Sequence, residues 1–136
     1  MRTRELFRAH LPPYLLAHMV EHGNETVFPY RAIPAVIEAS RVAGLVNLGG
    51  NLMLLFSPGV WESPIMQVNT GSEKLRGLPL QERIDQTAAI ALRNILDLGS
   101  EAELLQEAAI GTCRPQIAEG ADAWRKLYFT WLVNQP

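Results

Sequence analysis

Apolar residues recur every three or four positions through most of this chain, which is the spacing of amphipathic helices. The spacing predicts helices over residues 3–10, 14–22, 32–43, 80–98, 101–110 and 121–133. Pro12 and Pro13 separate the first two, because proline donates no backbone hydrogen bond and restricts the residue before it. Ser100 followed by Glu103 forms a capping box, which predicts the start of the fifth helix. Glycines support the ends of four of these helices: Gly23, Gly44, Gly99 and Gly111.

Two of the predicted helices carry apolar faces that we expect to pack on a core. The face of helix 80–98 comprises Ile84, Thr87, Ala88, Leu92, Ile95 and Leu96. The face of helix 121–133 is rich in aromatic residues and comprises Trp124, Leu127, Tyr128, Trp131 and Leu132.

Between Asn47 and Thr70 the helical spacing stops. Two short apolar runs, 52–56 and 60–68, flank the turn residues Ser57, Pro58 and Gly59, which predicts a β-hairpin. Pro64 donates no ladder hydrogen bond, so we expect its strand to be an edge strand or to carry a bulge. An isolated pair of strands is marginal in water and needs a helix on one face or a partner on its free edge. The hairpin therefore indicates a binding function.

The composition is that of an ordinary globular protein. With 136 residues, 48% of them hydrophobic and 19% charged, the chain is expected to form a single domain, 1–136. The predicted fold is α+β: mostly helical, with one small antiparallel hairpin or sheet. Its apolar runs are short and its first residues are charged, so we expect neither a membrane span nor a signal peptide, and a cytoplasmic location. Cys113 is the only cysteine, so no internal disulfide forms.

The net charge is −2 and the pI is about 5.9, which argues against the basic surface that nucleic-acid binding requires. We expect neither nucleic acid nor a membrane as partner. The charge is uneven, because residues 97–122 contain six carboxylates and only one basic residue, Arg114. This stretch is either a solvated helix surface or a patch that attracts a basic partner. Its carboxylates are Asp97, Glu101, Glu103, Glu107, Glu119 and Asp122.

One motif has the spacing of a metal site. His18, Glu21 and His22 match the H-x-x-E-H pattern of inverted zinc peptidases, in which two histidines bind zinc and the glutamate activates water. A catalytic zinc needs a third ligand, for which only His10 is near in sequence, and the chain is short for such an enzyme. We interpret the histidines as surface or half-buried residues. A small zinc-binding protein that uses His18 and His22 remains an alternative.

The other candidates for catalysis are weaker. Cys113 lies beside Arg114 but has no histidine in its segment, so we interpret it as a small buried hydrophobic residue. Gly49 and Gly50 precede a strand rather than open a helix, which favours a bulge or tight turn over a phosphate loop. We therefore predict a protein that is not an enzyme and carries no cofactor.

The second strand of the hairpin is the better candidate for binding. Alternation places Trp61, Ser63 and Ile65 on one face and Glu62, Pro64 and Met66 on the other, so either packing leaves apolar surface outside unless helices cover both faces. We predict that a partner binds this strand and the acidic stretch. The predicted binding residues are Trp61, Glu62, Met66, Asp97, Glu101, Glu103 and Glu107.

Segment 29–68 resembles a known class of bacterial proteins. It contains Pro29-Tyr30-Arg31-Ala32-Ile33-Pro34, a helix ending in Ala43-Gly44, and Asn51-Leu52-Met53-Leu54-Leu55-Phe56 followed by Ser57-Pro58-Gly59. The order of elements and the hairpin are similar to those of the small immunity proteins that bacteria encode beside polymorphic or contact-dependent growth-inhibition toxins.

The resemblance implies a cytoplasmic antidote that occludes a cognate toxin domain in a stoichiometric complex. It transfers no set of binding residues, because members of the class differ widely in fold and surface. The nearly neutral charge of this chain departs from what an antidote to a strongly basic nuclease would carry. A structural or assembly subunit that dimerises through the hairpin edge is a further alternative.

Overall fold

The computed structural model describes residues 2–57, 60–62 and 66–135. Within them the chain forms five α-helices and seven strands, so the mixed α+β class is confirmed. The helices are α1 (Thr3–His10), α2 (Pro13–Leu16), α3 (Ile33–Val42), α4 (Leu80–Asp97) and α5 (Glu101–Gly111). The strands are β1 (Val20–His22), β2 (Glu25–Pro29), β3 (Val46–Ser57), β4 (Val60–Glu62), β5 (Gln67–Asn69), β6 (Leu127–Thr130) and β7 (Leu132–Asn134). Short 3-10 turns occur at Tyr30–Ala32, Ser72–Leu75, Pro115–Ala118 and Ala123–Lys126.

The strands form one antiparallel sheet around β3. The order is β1-β2-β6-β3-β4, and β5 and β7 also pair with β3. The first half of β3 lies between β5 and β7, and its second half lies between β4 and β6. The prediction of a mostly helical fold with one small hairpin is therefore wrong. The hairpin of β3 and β4 exists, but its first strand is the centre of a larger sheet.

The predicted helix at 121–133 is also wrong. After a 3-10 turn, the chain continues as β6 and β7. The side chains of Leu127, Phe129, Trp131 and Val133 are buried, and this spacing of two residues is that of a strand. The segment is rich in aromatic and β-branched residues, which favour strands. Pairing with β3 and β2 stabilises the extended form.

The second predicted helix, 14–22, is four residues long in the structure. Helix α2 ends at Leu16, and Val20–His22 forms strand β1, which pairs with β2 in a hairpin. Gly23 adopts the predicted left-handed conformation with φ of 59°, but it does so in the hairpin turn rather than at a helix end. His18 and His22 are therefore not one helical turn apart.

The remaining helix predictions are confirmed with small shifts of their ends. Helices α1, α3, α4 and α5 begin and end within one residue of the predicted positions. Ser100 caps α5 as predicted, because the Glu103 amide donates to Ser100 Oγ over 3.2 Å. The predicted face of α4 is partly wrong: Leu96 is 66% exposed and Leu92 38% exposed, while Ala91 is buried.

The core lies between one face of the sheet and the helices. The residues on this face include Phe28, Leu52, Leu54, Leu127 and Phe129, all buried. They pack against apolar residues of α1, α3, α4 and α5. Phe7 of α1, for example, meets Phe28 edge to face with ring centroids 5.4 Å apart. In the described part of the chain, no helix has the length and apolar character needed to span a bilayer.

Of the two alternatives predicted at Gly49 and Gly50, a bulge or a tight turn, the structure has a bulge, which lies between Asn47 and Gly49, where the pairing of β3 with β7 shifts register. Gly49 has a φ of 122°, and a Cβ atom there would lie 2.0 Å from the carbonyl oxygen of Val68. The neighbouring strands approach β3 this closely because neither glycine carries a side chain. The predictions for Pro58, Gly59, Ser63, Pro64 and Ile65 lie outside the described residues.

Tyr30 links the chain after β2 to the end of α4. Its hydroxyl lies 2.9 Å from the carbonyl oxygen of Ile95 and 3.2 Å from that of Gly99. It therefore joins the chain after β2 to carbonyl groups at and just beyond the end of α4. Burial raises the pKa of Tyr30, and the nearby charge of Glu101 adds to this effect.

Replacing Tyr30 with phenylalanine should lower the free energy of unfolding at pH 7 by about 1 kcal/mol, because the hydrogen bond is lost. Since its pKa is higher in the folded than in the unfolded state, the wild type should lose stability as the pH rises above about 10. Y30F should lack this part of the alkaline loss. Urea unfolding between pH 7 and pH 11 measures both effects, with Tyr14→Phe as control because Tyr14 is 64% exposed. Identical pH profiles for Y30F and the wild type would contradict the assignment.

Candidate functional site

An open groove of about 560 Å³ lies where β2 leaves the sheet and leads into α3. Its walls come from six segments: α2 and the turn after it, the end of β2, the 3-10 turn at Tyr30–Ala32, α3, the 3-10 turn at Ala123–Lys126, and β6. The lining residues are apolar, aromatic or basic, namely Tyr14, Leu15, His18, Pro29, Arg31, Ala32, Ala35, Trp124, Arg125 and Tyr128.

Trp124 lies at the centre of the charged part of this groove. The guanidinium carbon of Arg31 lies 3.6 Å from the centroid of its indole ring, and that of Arg125 lies 5.1 Å away. Cation–π contacts of this kind contribute about 0.5–2 kcal/mol each, depending on exposure. The half-buried indole also packs against the core. Trp124 therefore has a fixed position from which it orients both arginines.

Arg31 is held from a second direction by Glu101. Its Nε donates to Glu101 Oε1, and its Nη2 donates to Oε2 over 2.7 Å. The hydrogen bond to Glu101 raises the pKa of Arg31, and partial desolvation opposes this rise. A bidentate ion pair of this kind fixes the plane of the guanidinium group. Arg31 is thus oriented before any ligand arrives.

The groove continues toward the edge of the sheet through Tyr128. Its ring meets that of Trp61 on β4 edge to face, with centroids 5.1 Å apart. The ring of Trp61 in turn lies 5.3 Å from that of His22 on β1. Trp61 and Tyr128 lie on the face of the sheet opposite the helices, where Met53 is also buried. Trp61 therefore adjoins the groove.

The distribution of tryptophan and tyrosine singles out this surface. The chain contains three residues of each type. Trp131 and Tyr30 are buried in the core. The other four either line the groove or, in the case of Trp61, contact a lining residue. We call Tyr14, Trp61, Trp124 and Tyr128, together with Arg31 and Arg125, the aromatic surface.

Of the predicted binding residues on the hairpin, Trp61 belongs to the aromatic surface. Met66 is half-buried and packs against the core, and its carbonyl accepts a hydrogen bond from the Leu52 amide over 2.9 Å. Glu62 lies in β4, paired with Leu54.

The predicted acidic residues have separate roles. Glu101 holds Arg31, with 19% of its side chain exposed. Glu103 completes the cap of α5, because its carboxylate accepts a hydrogen bond from Ser100 Oγ over 3.1 Å. Asp97 and Glu107 are exposed. The structure therefore brings Trp61 and Glu101 to opposite ends of one surface, while two of the other carboxylates remain in solvent.

The possible zinc ligands are not brought together. His18 lines the groove, whereas His22 contacts Trp61. Glu21 accepts a hydrogen bond from Arg8 and lies 3.5 Å from Arg4 Nε. Among the described residues, no group of three or more His, Cys, Asp or Glu side chains is placed to hold a metal ion.

Cys113 follows α5 and is exposed, so its interpretation as a buried hydrophobic residue is wrong. Its φ of 56° places it in the left-handed region, at the point where the chain leaves the helix. Its neighbours in space belong to α5 and the following 3-10 turn, away from the aromatic surface. Cys113 therefore has no part in the candidate site.

Most of the aromatic surface was not predicted from the sequence. Trp124 and Tyr128 were expected on the buried face of a helix, and Tyr14 at the start of another. For Tyr128 a signal was present, the period of two after residue 126, which places Tyr128 on the opposite face from Leu127 and Phe129. No local signal connects Arg31 with Trp124.

No protein-family model, curated protein or solved structure matches this chain. The interpretation of the aromatic surface therefore depends on its own geometry and chemistry.

Proposed function

We propose that this protein is an immunity protein that binds a cognate bacterial toxin domain through the aromatic surface and neutralises it by occlusion. The observation that carries the proposal is the grouping of four aromatic side chains with two arginines outside the core. Tryptophan, tyrosine and arginine are the residues that dominate binding energy at protein interfaces. The resemblance of segment 29–68 to immunity proteins is the reason for choosing a toxin as the partner, and such an antidote acts in the cytoplasm.

The aromatic surface is ordered by contacts within the chain. Arg31 is held by Glu101 and Trp124, and Trp61 is held by Tyr128. Ordering side chains on binding costs about 0.5–1.5 kcal/mol for each flexible side chain. A surface that is already ordered avoids much of this cost, which favours tight association.

Strand β4 is the element that we propose for backbone hydrogen bonding to the partner. Among the described strands it pairs with β3 alone. Strand addition is a common mode of recognition. The exposed carboxylates of Asp97 and Glu107 would then lie outside the contact, where charge affects the association rate more than the affinity.

The test uses toxin domains encoded beside this gene. The wild-type protein should co-purify with one of them at a ratio of one to one and prevent its effect on growth. Trp124→Ala should weaken binding at least about 30-fold, the loss expected for an interface residue worth 2 kcal/mol. Leu96→Ala is the matched control, because Leu96 is 66% exposed on α4, and it should bind within about threefold of the wild type.

Thermal unfolding of both variants separates loss of binding from loss of the fold. The proposal fails if no neighbouring toxin is bound and neutralised, or if folded Trp124→Ala neutralises its toxin as well as the wild type does.

The pairing of β4 with a single strand, among those described, also favours one alternative, a subunit that dimerises by pairing two copies of the β4 edge. The mass in solution distinguishes the two functions. A dimer that dissociates when Trp61 is replaced with alanine, and that binds no toxin, would favour the assembly role.

A further inference from the structure

The charge of the groove restricts the chemistry of what binds there. Its lining includes the side chains of Arg31 and Arg125 and the imidazole of His18, and none of the described lining residues carries a carboxylate. Glu101 and Asp122 lie outside the lining and pair with the two arginines, Asp122 at 3.7 Å from Arg125 Nε. A ligand in the groove therefore faces the basic ends of both ion pairs.

Arg31 retains donors for such a ligand. Its Nε and Nη2 are directed at Glu101, while its Nη1 has no acceptor among the described residues. A guanidinium group has five N–H donors in a fixed plane, so the pair with Glu101 leaves the Nη1 side open. Stacking on Trp124 restricts rotation of the guanidinium group, so Nη1 keeps its orientation.

The rest of the groove is apolar. Pro29, Ala32 and Ala35 contribute to its wall beside Arg31, and Tyr14 closes it on the side of α2. A ligand that carries an acidic group beside an apolar one could therefore bury the apolar group against this wall while its negative charge contacts Arg31. Glu101 lies close enough to disfavour a dianion such as a phosphate more than a carboxylate, which carries one negative charge.

We propose that the groove receives an aspartate or glutamate side chain of the partner, flanked by an apolar residue, with the carboxylate bound to Nη1 of Arg31 and close to Arg125. The inference rests on the proposed function, since it names the chemistry of the partner segment that the aromatic surface binds. It assigns Arg31 as the specificity-determining residue and Trp124 as the residue that positions it.

The test begins with selection of random 12-residue peptides displayed on phage, with the wild-type protein immobilised. We expect the selected peptides to share an acidic residue next to an apolar one. A synthetic peptide from this set should bind at least tenfold more tightly than its copy with glutamine or asparagine in place of the acid. Binding of the acidic peptide, but not of the amide copy, should weaken as the salt concentration rises from 50 to 500 mM.

Variants of the protein assign this preference to Arg31. In Arg31→Gln/Glu101→Gln, which removes both charges of the pair together, the acidic and amide peptides should bind within twofold of each other. Arg93→Gln, which removes an exposed arginine on α4, should keep the tenfold difference. Selection of no peptides, selection of peptides without an acid, or a preference that survives in the double variant would overturn the inference.

The outcome is separable from that of the proposed function. If a toxin is neutralised through Trp124 but peptides show no preference for an acid, only the carboxylate inference fails. If the acidic peptide binds as expected while no neighbouring toxin is neutralised, the groove is a carboxylate site and the immunity function fails.

Discussion

Replacing Gly50 with alanine is expected to destabilise the fold by at least about 3 kcal/mol, the upper range for overpacking at a buried position. A Cβ atom at Gly50 would lie 1.7 Å from the carbonyl oxygen of Thr130 and 3.2 Å from Cε3 of Trp131. Both neighbours are constrained, because Thr130 belongs to β6 and the Trp131 ring is fully buried. Relief of the clash therefore requires β3 and β6 to separate at the centre of the sheet.

Two other glycines provide a control and a second test. Gly77→Ala should change the free energy of unfolding by less than about 0.5 kcal/mol, because a Cβ atom there meets nothing within 4 Å and the position is exposed. Gly49→Ala should be as harmful as Gly50→Ala, since it adds a positive φ to a contact of 2.0 Å with the Val68 carbonyl oxygen. Urea unfolding monitored by tryptophan fluorescence measures all three. A Gly50→Ala protein within 1 kcal/mol of the wild type would contradict the close packing of β3.

Features set by nearby residues could be predicted from the sequence, whereas most of the partners of β3 could not. Local signals were sufficient for α1, α3, α4 and α5, because proline, glycine and the Ser100 cap act within a few residues of their own positions. The bulge at Gly49 was predictable for the same reason. The identity of the strands that lie on either side of it was not, since they are Gln67–Asn69 and Leu132–Asn134.

The region after Trp124 illustrates why the larger sheet was missed. Two patterns coexist there: Trp124, Leu127, Tyr128 and Trp131 have helical spacing, while Leu127, Phe129, Trp131 and Val133 have the spacing of a strand. Local propensity does not decide between them. The strand prevails because β6 pairs with both β2 and β3, which are distant in sequence. For β1 and β2 a local signal did exist, since Gly23-Asn24 is a sequence typical of a two-residue hairpin turn.

The candidate site could be predicted only in part, for a related reason. Trp61 was identified because it lies in a strand with exposed alternation. Glu101 was identified only as one of several acidic residues, yet its role depends on Arg31, which is 70 positions away in the sequence. The groove exists only when α2, β2, α3 and β6 have assembled. A site that is built from segments distant in sequence has no local sequence pattern that would predict it.

The second large effect is expected at a buried polar pair that the same assembly creates. Asn47 and Trp131 are both fully buried. The indole Nε1 of Trp131 donates to Asn47 Oδ1 over 2.8 Å, and Asn47 Nδ2 donates to the carbonyl oxygen of Ile37 over 3.3 Å. Asn47 thus joins β3 to the segment between β6 and β7 and to α3.

Asn47→Leu should lower the free energy of unfolding by about 2–4 kcal/mol, because it leaves the buried indole N–H of Trp131 without an acceptor and removes the hydrogen bond from Asn47 to α3. Trp131→Phe should cost about 2–3 kcal/mol, through the lost donor and the cavity left by the smaller ring. Urea unfolding of the two single variants and the double variant measures their coupling.

The double variant should be less unstable than the sum of the single variants by about 1–2 kcal/mol, because the second substitution no longer breaks a hydrogen bond. Thr70→Val provides a comparison, since Thr70 Oγ1 donates to the backbone oxygen of Asn47 over 2.7 Å and not to its side chain. Its effect should therefore add to that of Asn47→Leu with little coupling. If Asn47→Leu and Trp131→Phe are additive within about 0.3 kcal/mol, the side-chain hydrogen bond does not stabilise the fold, and the buried indole is held by packing alone.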